Sequence, residues 1–167
     1  KALPAVMQKG KALSIGDFGQ LQGLPAKFIT CLLKDKNGLM WIASREGLFR
    51  YDGSFIQTFI PGSSEPPIVG MTEDNRGNLW FIRFGGIGMI DQHAGTINYS
   101  QKIGAITNNI AKLTKDQNGL IWVYNLKDSA VSIIDPQAQT YKNLDKKGGL
   151  SDLTAFEMLE DDSKNIW

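Results

Sequence analysis

The chemistry open to this sequence is limited by its scarcest reactive residues. Among 167 residues there is one histidine, His93, and one cysteine, Cys31. A lone cysteine forms no internal disulfide and no thiolate cluster for zinc or iron–sulfur. A lone histidine excludes a three-histidine metal site and a pair of catalytic histidines. Asp and Glu total 17, but no spacing singles out two carboxylates of the kind that glycoside hydrolysis uses. His93 stands in Asp91-Gln92-His93-Ala94-Gly95, which reads as an outer turn, so a solvated ring is expected. Cys31, between Thr30 and Leu32, reads as a small buried residue with no base beside it. Gly85-Gly86 reads as a turn and lacks the Lys-Ser/Thr context of a phosphate loop. No catalytic residue, metal ligand or cofactor is expected.

Binding chemistry is better represented. Arg45, Arg83, Asn125 and Lys127 carry donors suited to hydroxyls or carboxylates, and Glu46 carries an acceptor beside Arg45. Phe84 and Tyr124 offer rings that can stack on a sugar face. These seven residues are the candidate ligand contacts. Lys plus Arg is 18 against 17 acids, a net charge of +1, which supplies no net drive toward nucleic acid or an anionic membrane. No nucleic-acid contact is expected. Hydrophobic residues at 42% and charged residues at 21% describe a folded chain. No apolar run approaches the roughly 20 residues that span a bilayer. Both ends read as cuts, so the lack of a leader or membrane helix carries no information.

What positions these side chains is a repeat. The tryptophans are Trp41, Trp80, Trp122 and Trp167, at intervals of 39, 42 and 45 residues. Asp35, Asp74, Asp116 and Asp161 each stand six residues before a Trp. Gly38, Gly77 and Gly119 stand three before it, and Lys164 takes that place in the last copy. Asp, a polar pair and Gly make a tight hairpin turn, capped by the carboxylate and closed by a residue tolerant of positive φ. Lys164 fits such a turn less comfortably if its φ is positive. Each Asp is expected to cap, and each Trp to pack between neighbouring sheets.

Strands flank the turn. The first strands are expected over residues 29–34, 69–73, 110–115 and 154–159. The second strands are expected over 39–43, 79–82 and 120–124. Third strands follow over 48–51, 87–90 and 130–134, each closed by an aspartate: Asp52, Asp91 or Asp135. Fourth strands follow over 55–59, 96–99 and 139–142. Four short antiparallel strands in about 42 residues, with one Trp per unit, read as propeller blades. No stretch of ten residues holds a helical period. The fold class is all-β: a β-propeller fragment of about four blades of four-stranded antiparallel sheet, the last truncated, from a seven-bladed ring. Residues 1–22 form an N-terminal segment, with 12–18 read as the outer strand of a preceding or closing blade. Blades one to three occupy 23–62, 63–103 and 104–146, and 147–167 begins the fourth. Strand-two-to-three loops and inter-blade loops share one end of each blade. They vary between copies while the Asp turns at the other end do not.

Gly23-Leu24-Pro25, Asp35, Gly38, Trp41-Ile42, Gly47-Leu48 and Tyr51-Asp52 together resemble the two-component regulator propeller repeat. The second copy keeps Asp74, Gly77, Trp80 and Asp91 but has Ile90 where Tyr is expected. The third keeps Asp116, Gly119, Trp122 and Asp135, with Ser129-Ala130 at the Gly-Leu position and Ile134 for Tyr. The resemblance covers residues 23–167. It implies the periplasmic input region of a membrane-anchored hybrid two-component regulator with a histidine kinase parent. It also implies a non-catalytic sensor, an oligosaccharide ligand, further blades from the parent chain and a homodimer. The alternatives are a protein-interaction propeller and, less well supported, a propeller lyase or glycosidase. The Asp box of sialidase-like propellers places its aromatic five residues after Asp, not six, and Ser or Thr two residues before it. That shift of register weakens the glycosidase reading.

Overall fold

A computed structural model describes residues 23–61, 66–91, 95–98, 110–125, 130–144 and 158–167. In chain order the strands are β1 (Ile29–Lys34), β2 (Met40–Ser44), β3 (Gly47–Tyr51), β4 (Ile56–Pro61), β5 (Ile68–Glu73), β6 (Leu79–Arg83), β7 (Gly86–Asp91), β8 (Gly95–Asn98), β9 (Ile110–Lys115), β10 (Ile121–Asn125), β11 (Ala130–Asp135) and β12 (Thr140–Leu144). They form three four-stranded sheets, β1-β2-β3-β4, β5-β6-β7-β8 and β9-β10-β11-β12, each in sequence order without a crossover. Further on, Glu160 bridges Ile166 in antiparallel fashion. The chain is an all-β propeller fragment built of four-stranded meanders. The expected strand over 12–18, His93 and Lys127 lie outside the described residues.

Strand ends differ from the sequence reading by a residue or two, and the aspartates explain several of the shifts. Leu39 donates its N–H to the Asp35 carboxylate and its C=O accepts the Asp35 N–H, so β2 begins at Met40. Phe55 gives its N–H to Asp52, so β4 begins at Ile56. Gln139 has a φ of 56° in the turn after Asp135, and β12 begins at Thr140.

The chain divides into two compact units, Lys1–Ile68 and Val69–Trp167. In the first, Ile42 and Phe49 share one face of the first sheet, and Leu24 and Ala26 from the segment ahead of β1 pack on them. Met40, Tyr51 and Ile56 border this cluster. On the other face Trp41, Arg50 and Gln57 form one cross-strand row. The Arg50 guanidinium lies 5.4 Å from the Trp41 ring and 4.7 Å from the Phe59 ring, and it donates to Gln57 Oε1 at 2.9 Å.

In the second unit Trp80, Ile82, Ile87 and Met89 meet Leu113, Ile121, Val123 and Ile134 in one core. Fully burying side chains of this size contributes about 1.5–3 kcal/mol each. Phe81 stands opposite Gly88 across β6 and β7, and its ring fills the space where a β-carbon on residue 88 would lie. A smaller cluster joins Tyr124 and Val131 with Trp122, Ile133, Leu144 and Met158.

Candidate functional site

Each blade has two ends, and the Asp turn builds the first. Asp35 Oδ1 accepts the N–H groups of Asn37 and Leu39, and Oδ2 accepts the Trp41 indole N–H at 3.0 Å. Asp74 repeats this with Arg76, Asn78 and the Trp80 indole at 2.9 Å. Asp116 accepts from Leu120 and from the Trp122 indole at 2.8 Å. Asp161 accepts from Ser163, Asn165 and the Trp167 indole at 2.8 Å. The six-residue spacing is therefore the reach that lets one carboxylate close the turn and satisfy the indole. Gly38, Gly77 and Gly119 have φ of 84°, 90° and 86°, and Lys164 adopts 65° in their place. The indole and Asn165 bonds hold the Asp161 carboxyl down at about 2.

Within the second unit these turns are also tied to one another. Lys115 Nζ donates to Asn75 Oδ1 at 3.1 Å, and Gln117 N–H donates to Glu160 Oε2 at 2.7 Å. Gln117 Nε2 reaches the Asp161 carbonyl, and Lys164 Nζ reaches Asn118 Oδ1, both at 3.4 Å. At this end the carboxylates satisfy turn N–H groups and all four indoles. Trp41 and Trp80 are buried, Trp122 is half-buried and Trp167 is 75% exposed.

The opposite end carries the candidate contacts. In the first unit the turn after β2 and the connection into β1 come together. The Arg45 guanidinium lies 5.3 Å from the centre of the Phe28 ring, and Arg45 N–H donates to the Phe28 carbonyl. Glu46 Oε2 accepts the Lys27 N–H at 3.2 Å, and Ser44 Oγ accepts the Glu46 N–H at 3.0 Å. Burial raises the Glu46 carboxyl, but the Lys27 and Ser44 hydrogen bonds together outweigh it and hold the group below its ordinary range. Phe28 is 59% exposed. The result is an exposed aromatic face, a guanidinium and an ionised carboxylate fixed by two connections. Such a group can stack on a flat apolar face while exchanging hydrogen bonds with hydroxyls.

The second unit offers a related pair. Phe84 is 64% exposed in the turn after β6, and Arg83 ends that strand half-buried. Tyr124 requires a correction: it is 1% exposed and packed with Val131, so its ring has no face open to a ligand. Strand alternation turns it inward, which its place beside the loop concealed. Asn125 closes β10 opposite Ala130. Phe28 is not among the seven candidate contacts read from the sequence. The available signal was topological, since the connection into β1 and the turn after β2 share one end of the sheet. Cys31 is half-buried, and burial pushes its thiol up to about 11, which suits packing and not nucleophilic attack.

Comparison with known proteins agrees with this architecture. Residues 23–46 match the two component regulator propeller family, over the segment that carries Asp35, Gly38, Trp41, Arg45 and Glu46. Two structures of the extracellular domain of BT4673 from B. thetaiotaomicron, described in one as a one component and in the other as a hybrid two component system, share 22% identity with TM-scores of 0.65 and 0.64. Each alignment covers 83% of this chain and 21% of that one, so the chain spans about a fifth of their length. Virginiamycin B lyase from Staphylococcus aureus aligns at 16% identity and a TM-score of 0.66, over 86% of this chain and 50% of that one. At these identities the likeness is one of fold. No curated protein matches the sequence significantly.

Proposed function

We propose that this chain is part of a non-catalytic ligand-sensing propeller. It belongs to the extracytoplasmic, periplasmic input region of a membrane-anchored hybrid two-component regulator with a histidine kinase parent, and its ligand is an oligosaccharide. The observation that carries this reading is the Phe28, Arg45 and Glu46 group, held by two connections at the loop end of a blade. An aromatic face with a fixed acceptor and a cationic donor suits the alternating apolar and hydroxylated surfaces of a sugar. The two component regulator propeller match over residues 23–46 supports the same reading, since it includes that turn. Ligand capture at this end would change blade or dimer geometry, and that change would pass toward a membrane helix.

Calorimetry of the intact protein against a panel of defined oligosaccharides tests it. The Arg83→Ala, Phe84→Ala double variant, and separately Phe28→Ala, should each weaken the selected ligand by about tenfold or more, or about 1.4 kcal/mol. Unchanged affinity in folded variants would remove these residues from the site. Failure of every oligosaccharide, together with tight binding of a protein partner, would replace sugar sensing with protein interaction.

A further inference from the structure

The turn end of the second unit holds a cavity of about 90 Å³ that the sensing proposal does not use. Residues 74–76 of the β5–β6 turn, 118–120 of the β9–β10 turn and 135–137 of the β11–β12 turn line it. Asp74 is a wall and not a free ligand, because both its oxygens are taken by Arg76 N–H, Asn78 and the Trp80 indole. Two charged groups keep bonding capacity among the described residues. The Arg76 guanidinium makes no hydrogen bond or ion pair among the described residues. Asp135 Oδ1 accepts from the Gln137 and Ala138 N–H groups, and its Oδ2 accepts from no described residue. The Asn75 amide oxygen is taken by Lys115, which leaves its NH₂ as a donor on the cavity wall.

We propose that this cavity binds the head of a small zwitterion, a free α-amino acid, with its carboxylate on Arg76 and its ammonium on Asp135. A guanidinium and a carboxylate that line one small cavity, and do not pair with each other among the described residues, present opposite charges to a single ligand. A ligand carrying both charges answers both. A simple anion would meet Asp135 and a simple cation would meet Arg76, so each half alone gains less. The volume equals the share of about three waters. It therefore seats the charged head and leaves the amino-acid side chain outside, which predicts weak discrimination among side chains. The site lies at the blade end opposite the candidate sugar contacts, so it stands or falls independently of them.

Saturation-transfer NMR and calorimetry on the intact protein test this with glycine and alanine, using acetate, methylammonium and glucose as controls. Glycine and alanine should bind saturably with similar affinity, and each control at least about tenfold more weakly. Arg76→Gln and Asp135→Asn should each weaken glycine at least about tenfold. Asn at 135 keeps the oxygen that caps the turn, and circular dichroism checks the fold. If Asp135→Asn does not fold, Arg76→Gln alone decides. No saturable glycine binding, acetate or glucose binding as well as glycine, or full affinity in either folded variant would overturn the proposal.

Discussion

The two ends of each blade solve different problems. At the turn end, the four aspartates form nearly the same bonds four times, and each indole N–H finds its carboxylate. At the loop end, the first sheet presents Arg45 over Phe28 and Glu46 bonded to Lys27, while the second presents Phe84 to solvent. Where the turn-end circuit is buried, as at Asp35–Trp41 and Asp74–Trp80, it punishes any change, because each lost partner leaves another group unsatisfied. Exposed groups that bond across two connections carry no such penalty. Stability should therefore reside chiefly at the turn end and sugar recognition at the loop end.

The strongest way to break this contrast is Asp74→Ala. The substitution removes four hydrogen bonds and leaves the indole N–H of Trp80, 0% exposed, without its acceptor. A loss of about 4 kcal/mol is expected in urea unfolding. A change below about 1 kcal/mol would show that the corner is decoration. Gly119→Ala comes next. The site has a φ of 86°, and a β-carbon there would run into the Asn75 amide. The expected loss is about 1–3 kcal/mol, and Asn75→Ala should relieve the steric part of it.

Much of the turn end is legible in sequence, because the same constraint is written four times. Asp35, Asp74, Asp116 and Asp161 at a fixed distance from Trp mark the corner, and Gly38, Gly77 and Gly119 mark the positive φ. From the sequence each Asp caps and each Trp packs; the indole–carboxylate bond that joins them emerges only in the structure. The loop end is written once per blade, so no internal comparison fixes a role. Tyr124 illustrates the difficulty. It ends the expected strand over 120–124 beside a variable loop, and the pleat of β10 turns its ring inward. Arg45 and Phe28 are 17 positions apart, and only the sheet topology brings them together.

Acid should test the fourth corner on its own. Asp161 has its carboxyl lowered from 3.8 to about 2, first by the Trp167 indole and then by Asn165. A lowered value means that the folded state favours the carboxylate. The corner's contribution is therefore full above about 3.8 and is lost as pH falls through about 2. The Trp167 indole N–H resonance should hold its position down to about pH 3 and move below it. Asp161→Asn should abolish that titration. Movement centred near pH 4 would mean that the bond contributes little. Lys164→Gly acts on the same corner with a smaller effect. Relief of the φ of 65° should stabilise the protein by up to about 1 kcal/mol, and the weak 3.4 Å bond to Asn118 offsets little of it.

The smallest stability effect should come from Arg45→Ala, and its smallness is what makes it informative. Arg45 is exposed, and its contacts are a ring at 5.3 Å and a backbone bond that Ala retains. Exposed cation–π pairs contribute about 0.5–1 kcal/mol at most, and part of that is offset by the side-chain entropy released. The unfolding midpoint should shift by no more than about 0.5 kcal/mol in equivalent stability. Oligosaccharide affinity should fall by about tenfold in the same variant. That dissociation of binding from stability is the opposite of the Asp74 result. If Arg45→Ala instead destabilised the protein by 2 kcal/mol or more, roughly the size of a lost buried bond, the loop end would be scaffold as well. The division of labour between the two ends would then fail.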